Sequence, residues 1–370
     1  MIEQKQPKAR VLAYYLPQFH PIPENDEWWG KGFTEWTNVG KAKPLFPGHY
    51  QPHVPADLGY YDLRVPETRK AQADMAREYG VEGFVYWHYW FGNGKRLLER
   101  PFNEVLASGE PDFPFALAWA NETWKGFVFG AGDERNALIE QTYPGEEDYI
   151  AHFYALLSAF KDKRYITCDG KPIFVVYHPT EVPDMRHFIE LWNKLAKEND
   201  LNGIFFIAHE LEKKGHYEDA YAARMADGFD AVNFVNTVNR TAKDISLGVH
   251  ILRRLFHKNP KFRILPGLNT YNPKLYETPL DTKENVFPSV LPNWDHTPRS
   301  GLRGEVIVDA CPEKFEQVVR TAVRNVQAKE DDKRLIFIKS WNEWAEGNYM
   351  EPDMKFGKGF LEALKRALID

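Results

Sequence analysis

Two glutamates, Glu343 and Glu346, have a spacing that suits acid–base chemistry. They lie three residues apart in the segment 341–347, WNEWAEG, directly after an apolar run at 334–340. In a helical turn, residues three apart lie on one face, about 5–6 Å apart at Cβ, and retaining glycosidases hold their two carboxyl groups about 5–5.5 Å apart. Trp341 and Trp344 offer flat apolar faces for a sugar ring. A surface glutamate pair at the start of a helix, where the helix dipole favours carboxylates, explains the spacing equally well.

Composition and charge narrow the classes of protein that the chain can belong to. Its 370 residues are 43% hydrophobic and carry a net charge of −6, with a pI of about 6.1. This acidic balance argues against a nucleic-acid partner. No stretch approaches the roughly 20 apolar residues of a membrane helix, so no membrane partner is expected.

The beginning of the chain and its cysteines bear on location. The first eight residues, MIEQKQPK, are polar and lack the apolar core of a signal peptide. Cys168 and Cys311 are far apart and form no metal-type pair, so two free thiols in a reducing compartment are expected. With Met1 as the native start, these features predict a cytoplasmic protein.

Short β-rich apolar runs alternate with amphipathic stretches, which is the pattern of βα units around a parallel sheet. Strands are predicted at residues 11–19, 83–89, 115–120, 172–177, 204–208, 231–235, 264–268 and 335–340. Helices are predicted most clearly at residues 65–79, 146–161, 185–198, 312–328 and 357–368. The pattern predicts the α/β class and a single (β/α)8 TIM barrel over residues 8–370, preceded by a polar tail at residues 1–7.

Two connections, residues 20–64 and 269–310, are too long for ordinary barrel loops. They follow the first and the seventh predicted strands, at the face where barrel active sites are built. We therefore expect both loops to wall a cleft.

Polar and aromatic residues collect at the predicted ends of nearly all the strands. The candidates for substrate binding are Tyr15, Gln18, His20, His88, Tyr89, Trp119, Asn121, Glu122, Tyr177, His178, His209, Tyr271, Trp341, Asn342 and Trp344, with Glu35, Trp36 and Trp294 from the two long loops. Any one of them taken singly is more often a packing residue. Together they predict a cleft that hydrogen-bonds and stacks on a polyhydroxylated ligand.

Other chemistries find little support. The chain has no Gly-rich phosphate loop after the first strand, no Asp-x-Asp motif and no Gly-x-Ser-x-Gly elbow. His88, His178 and His209 could meet at the barrel mouth, but no His-x-His pair is present. We therefore predict neither a metal nor another cofactor.

Several long motifs resemble the WbsX-type family. They are YYLPQFH at 14–20, GFTEWTNV at 32–39, FPGHYQP at 46–52, GFVYWHYWF at 83–91, WANE at 119–122 and WNEW at 341–344. The resemblance spans nearly the whole chain from about residue 10. That family is similar to glycoside hydrolase family 99 and is often labelled a polysaccharide-biosynthesis glycosyltransferase.

The resemblance implies a mechanism. Family 99 enzymes are (β/α)8 barrels that cleave α-mannosidic linkages internally, with retention and without a metal. Their Asn-Glu-Trp-His-Glu-Gly motif, followed by Glu-Pro, matches residues 342–347 and 351–352, except that Ala345 replaces the histidine. By resemblance, Glu343 acts as base on the sugar 2-hydroxyl, and Glu346 protonates the leaving oxygen and then activates water. That chemistry requires a raised pKa at Glu346 and an ordinary one at Glu343.

Three functions are compatible with the sequence. The leading one is a metal-independent retaining glycoside hydrolase, endo-acting on an α-linked, mannoside-like oligosaccharide or polysaccharide. The alternatives are a glycosyltransferase that builds surface polysaccharide and a non-catalytic glycan-binding barrel. Asp295 and Glu122 are the leading competitors should Glu343 and Glu346 prove structural. The sequence does not specify the sugar, the linkage or the oligomeric state.

Overall fold

Eight parallel strands close into a barrel in the computed structural model, which describes residues 7–125, 137–211, 216–236 and 265–369. In chain order the strands are β1 (Arg10–Tyr15), β2 (Gly83–Trp90), β3 (Phe115–Trp119), β4 (Lys171–Val176), β5 (Phe205–Leu211), β6 (Ala231–Val235), β7 (Val286–Val290) and β8 (Leu335–Ile338). Each strand pairs with its neighbours in sequence, and β1 pairs with both β2 and β8, which closes the sheet. The predicted (β/α)8 barrel is confirmed.

The strands are buried on both faces, because side chains fill the barrel interior and helices cover its outside. β3 and β8 are buried along their whole length, as are five of the six residues of β1. Gly83 begins β2 where a Cβ would lie 2.4 Å from the carbonyl oxygen of Pro114. A larger residue there would push the start of β2 away from Pro114, which directly precedes β3.

Helices alternate with the strands and bury one face each. They are α1 (Pro23–Trp29), α2 (Glu35–Lys41), α3 (Pro66–Glu78), α4 (Arg100–Ser108), α5 (Glu146–Phe160), α6 (Met185–Glu198), α7 (Tyr217–Asp227), α8 (Thr297–Ser300), α9 (Pro312–Val326) and α10 (Gly359–Ile369). α9 buries Phe315, Val318, Val319, Ala322, Val323 and Val326, the residues of its 3.6-residue apolar period. The clearest predicted helices are therefore present, within about two residues at their ends.

The prediction of the seventh strand is wrong. Ile264 lies outside the described residues, and the following segment, Gly267–Asn269, pairs with Glu305–Ile307 in a separate two-stranded sheet. The barrel strand is β7, whose sequence VFPSV contains Pro288. Proline within an apolar run argues against a central strand, which is why the sequence did not favour this segment. The long loop after the true seventh strand therefore covers residues 291–311.

Short antiparallel strand pairs lie at the ends of the barrel. The antiparallel pairs are Arg96–Leu97 with β2, Trp124–Lys125 with Ala137–Ile139, Thr167–Cys168 with β4, and Asn342–Glu343 with Asn348–Tyr349. Residues 1–6 of the predicted polar tail lie outside the described residues. Within the described ranges, no helix is both long and apolar enough to cross a membrane.

Candidate active site

A deep cleft opens at the C-terminal end of the barrel, where (β/α)8 enzymes carry their active sites. Its volume is about 1180 Å³, which exceeds the roughly 300–1,000 Å³ typical of a small-molecule pocket. The long loops after β1 and β7 both contribute to its wall, as expected. The residues predicted from sequence that line it are Gln18, Glu35, Tyr89, Glu122, Tyr177, His178, Glu343 and Glu346.

The motif at residues 341–347 forms a tight hairpin directly after β8. A 3₁₀ turn, Trp344–Glu346, joins Asn342–Glu343 to the returning strand Asn348–Tyr349. Side chains three residues apart eclipse one another in such a turn, so the two glutamates face the cleft together. Gly347 ends the turn at a φ of +60°, and a Cβ there would lie 2.7 Å from the Cβ of Asp295. Glycine is therefore required where the hairpin meets the loop after β7.

One arginine, Arg299 of α8, joins three carboxylates. Its Nη1 lies 2.7 Å from Oε1 of Glu346, while its Nη2 lies 2.5 Å from Oε1 of Glu343 and 3.1 Å from Oε2 of Glu35. The Arg299 side chain is 23% exposed and the three carboxylates 15% or less. Water therefore screens these interactions poorly. The positive charge of Arg299 strongly favours the ionised forms of Glu343 and Glu346.

The pKa values of the two glutamates are shifted in opposite directions. Burial raises the pKa of Glu343 from 4.5 to about 7, and the charges of Glu346 and Glu35 add to this effect against the opposing effect of Arg299. Burial also disfavours the charged form of Glu346, but Arg299 and then His296 outweigh it, so the pKa of Glu346 is lowered. Just below pH 7, Glu343 is therefore protonated and Glu346 is ionised.

This order of pKa values is the reverse of the expected one. The resemblance implied a raised pKa at Glu346 and an ordinary pKa at Glu343. Arg299 contacts both carboxylates, but at Glu343 the effect of burial exceeds that of Arg299, whereas Glu346 also has the His296 ring 3.7 Å away. No pattern in the sequence indicated that Arg299 and His296 would lie beside Glu346.

Glu351 lies behind the hairpin and accepts hydrogen bonds from both tryptophans of the motif, Trp341 and Trp344. The indole N–H groups of Trp341 and Trp344 donate to the two carboxylate oxygens of Glu351 over 2.9 and 2.6 Å. Gln72 and Tyr61 donate to the same carboxylate over 2.6 and 2.9 Å. Burial raises the pKa of Glu351 to about 7, against the opposing effect of these four donors. Trp341 and Trp344 are fully buried and therefore fix the hairpin rather than lining the cleft.

The two competing carboxylates occupy different environments. Asp295 is buried, and its Oδ2 accepts hydrogen bonds from His49 and Gln51 over 2.7 Å each, while Thr297 binds its Oδ1. It thus joins the loop after β7 to the loop after β1 and does not line the cleft. Glu122 does line the cleft, with its carboxylate 3.7 Å from the ring of His178 and 45% exposed.

The structure places the remaining candidates beside the cleft rather than in its wall. They are Tyr15, His20, Trp36, His88, Trp119, Asn121, His209, Tyr271, Trp294, Trp341, Asn342 and Trp344. Most of them are buried because a strand end carries inward-facing and outward-facing side chains alternately, and the sequence does not reveal which will reach solvent.

Two asparagines among these candidates bond the backbone of residues in the wall of the cleft. The Asn342 side chain bonds both the N–H and the carbonyl of Leu16, over 2.8 and 3.0 Å, and so ties the hairpin to the end of β1. Asn121 bonds both backbone groups of His178 over 2.8 Å each. Both side chains therefore hold residues that line the cleft, Leu16 and His178, through these backbone contacts.

The aromatic and hydroxyl candidates have their hydrogen-bond and stacking partners within the protein. The tyrosine hydroxyls donate inward, Tyr15 to Gln72 over 2.7 Å and Tyr271 to the carbonyl of Leu291. The indoles of Trp36 and Trp119 donate to the carbonyls of Tyr61 and Trp90, over 2.7 and 3.0 Å. Trp294 stacks on His296 with ring centroids 5.9 Å apart.

The predicted histidines do not gather into a metal site. His88 lies 2.8 Å from His152 between their Nε2 atoms, and burial lowers the pKa of both. His209 lies beneath Tyr177, and the ring nitrogens of His209 and His20 have no hydrogen-bond partner among the described residues. A possible three-ligand group in the described chain, Cys168 with Asp169 and Asp332, lies at the opposite end of the barrel.

Sequence reasoning missed several residues that line the cleft. They include the basic residues Lys41, Lys125, Arg299 and Lys339, together with Trp87, Glu140 and Glu181. Lys339 follows β8 directly and could have been suspected from its place before the motif. Nothing in the sequence singled out Arg299, since its contacts depend on how the loop after β7 folds back over the hairpin.

The fold and the cleft together define a (β/α)8 barrel protein with an acidic, aromatic-lined site at the catalytic face. A family model described as "Glycosyltransferase WbsX" matches residues 11–364. The chain belongs to the WbsX glycosyltransferase family.

Curated relatives match nearly the whole of this chain. The chain is 35% identical over 366 residues to "Uncharacterized protein WxcX" from Xanthomonas campestris pv. campestris, with 97% of this chain and 50% of the relative covered. A second strain of that bacterium has a relative of the same name at 35% identity over 365 residues. The chain thus spans about half the length of the curated relatives it matches.

Solved structures share the fold at low sequence identity. A "Glycoside hydrolase-like protein" superposes with a TM-score of 0.61 and 16% identity, over 100% of this chain and 96% of the other. The GH99 endo-alpha-mannosidase from Bacteroides thetaiotaomicron superposes with a TM-score of 0.56 and 13% identity, over 97% and 96% of the two chains. At such identities the similarity shows the fold alone.

Proposed function

We propose that this chain is a metal-independent retaining glycoside hydrolase that acts within α-linked, mannoside-like glycans, with Glu343 and Glu346 as its acid–base pair. The observation that carries the proposal is the state of this pair. Both carboxylates face one cleft and contact one guanidinium, and their pKa values are shifted apart. Two carboxyl groups with separated pKa values supply one acid and one base at the same pH, as glycoside cleavage requires.

The proton begins on Glu343 in this proposal. For Glu343 to act as base on the sugar 2-hydroxyl, its proton must first pass to Glu346, which then protonates the leaving oxygen. A glycan that displaces the Arg299 guanidinium from Glu346 would favour that transfer, because it would remove the main interaction that keeps Glu346 ionised. The deprotonated 2-oxygen bonds to the anomeric carbon as the bond to the leaving oxygen breaks. Water then attacks the anomeric carbon and gives a proton to Glu346, while Glu343 returns its proton to the 2-oxygen.

The shape of the cleft fits a chain of sugars better than a single one. Its volume of about 1180 Å³ leaves room for several rings. Aromatic residues of the loop after β1, Trp28, Trp29 and Phe33, line it together with Trp124. Such side chains suit stacking on successive sugar faces.

A glycosyltransferase that builds polysaccharide is the second candidate, and the description of the matching family favours it. The cleft must then take an activated sugar donor, whose phosphate groups would need cationic partners. The two candidates differ in a simple requirement, since only the transferase needs a nucleotide sugar or similar donor.

The experiment is incubation of purified wild type with α-mannans and bacterial O-polysaccharides, first without and then with nucleotide sugars. Glu346→Gln is compared with Glu147→Gln, which alters an exposed residue of α5. Mass spectrometry detects released fragments. Fragments from wild type and Glu147→Gln but not from Glu346→Gln, without nucleotide sugar, are the expected result. Product formed only when nucleotide sugar is present would overturn the hydrolase in favour of the transferase.

A further inference from the structure

Lys339 lines the cleft, and its ammonium group makes no ion pair and no hydrogen bond with the described residues. It follows β8, and its backbone N–H donates to the carbonyl of Val290 over 2.9 Å, which fixes its position. Its side chain lines the cleft together with Glu343 and Glu346. A cation held beside two carboxylates, yet bonded to neither, is available to a ligand.

The described residues that pack around Trp87, next to the Lys339 ammonium, are aromatic rings rather than carboxylates. The ammonium lies 6.0 Å from the centroid of Trp87, which stacks on Tyr14 at 4.8 Å. His209 packs edge-on to both of these rings. Burial, with a smaller contribution from the Lys339 charge, lowers the pKa of His209 well below its usual value, so its ring is neutral. The rings around Trp87, beside Lys339, are therefore uncharged.

The charge of Lys339 also lowers the pKa of Glu343 and of Glu346, but it does so less than the charge of Arg299. Arg299 already contacts Glu35, Glu343 and Glu346 directly. A glycan that carries its own carboxylate would be repelled by these three groups unless a cation met it. A lysine ammonium is a compact charge with three donors, which suits one ligand carboxylate.

We propose that Lys339 binds the carboxylate of a uronic acid residue in the glycan, so that the cleft selects acidic over neutral sugars. This inference rests on the proposed function for its ligand class but not on the reaction. Lys339 is thus a specificity-determining residue.

The test is equilibrium binding, read from tryptophan fluorescence, so that it does not depend on turnover. The probes are oligogalacturonate, oligoglucuronate and oligomannuronate, each beside its carboxyl-reduced counterpart, which differs only in the lost charge. The proteins are wild type, Lys339→Met, Lys339→Gln and Lys339→Arg. Lys163→Met is the matched control, because Lys163 is exposed after α5 at the opposite end of the barrel. Mass spectrometry checks that each probe is intact, and circular dichroism checks the fold of each variant.

We expect wild type to bind at least one acidic probe about tenfold more tightly than its reduced counterpart, the effect of one charge-assisted hydrogen bond. The preference should fall to about twofold or less in Lys339→Met and Lys339→Gln, and remain in Lys339→Arg and Lys163→Met. The absence of an acidic preference in wild type for all three pairs, or an undiminished preference in folded Lys339→Met, would overturn the inference.

The outcomes also separate this inference from the proposed function. Glu346-dependent cleavage of neutral glycans without an acidic preference would leave the hydrolase standing and remove the role of Lys339. An acidic preference that depends on Lys339, in a protein that cleaves no glycan, would leave the binding site standing and count against the hydrolase.

Discussion

Replacing Arg299 with glutamine should move the whole pH–activity profile to higher pH. The guanidinium lies 2.7 Å from Glu346 and 2.5 Å from Glu343, so its removal takes a favourable interaction from the ionised form of both. At an effective dielectric constant of about 20, a pair of charges roughly 4 Å apart interacts by about 4 kcal/mol. Because the Arg299 side chain is 23% exposed, we discount this to a shift of about 1–2 pH units, within the range known for a carboxylate beside an arginine.

The assay is the pH dependence of kcat/KM on the best glycan substrate. The acid limb of the profile reports the lower ionisation of the pair and the alkaline limb the upper one. Both limbs should move upward together in Arg299→Gln. Arg324→Gln, on the exposed face of α9, is the control and should leave both limbs unchanged. The reasoning would be refuted by an Arg299→Gln profile that is lower in height but unmoved along the pH axis.

Two further predictions concern stability. Because the folded-state pKa of Glu343 is raised from 4.5 to about 7, the folded protein holds a proton that the unfolded chain has lost. Stability should therefore be full below pH 4.5 and fall as the pH rises through 7, by about 3 kcal/mol relative to Glu343→Gln. Urea titrations of both proteins at pH 4.5 and 8 measure this, and a difference that is independent of pH would contradict it. Glu351→Gln should destabilise by about 2–4 kcal/mol, since an amide NH₂ would face two of the donors that Glu351 now accepts from. The control is Glu147→Gln, and equal unfolding midpoints for the two variants would be the contrary result.

The sequence predicts the scaffold well because the scaffold depends on local patterns. Continuous apolar runs predict barrel strands, and the 3.6-residue period of α9 predicts its buried face. That Glu343 and Glu346 face the same side was likewise predictable, because both residues lie in one short turn. β7 is the exception, since Pro288 disguises a buried strand.

The site was less predictable because it depends on contacts between distant segments. Arg299 meets Glu35 across 264 residues of chain, and Asp295 meets His49 across 246. The sequence predicts Trp341 and Trp344 as flat faces for a sugar ring, but both indole N–H groups donate to the buried carboxylate of Glu351, which also accepts from Gln72. No pattern within one segment encodes such pairings, and the pKa order of the glutamates follows from them.

The measurement that most directly tests the role of the pair is kcat for Glu343→Gln and Glu346→Gln beside wild type, on one defined glycan without nucleotide sugar. Glutamine keeps the shape of each side chain and removes its ability to exchange a proton. Acid–base catalysis by a positioned side chain contributes about 10²–10⁴-fold. We predict that each variant loses at least about a hundredfold in kcat while still binding the glycan. A variant of either residue that keeps wild-type kcat would contradict it.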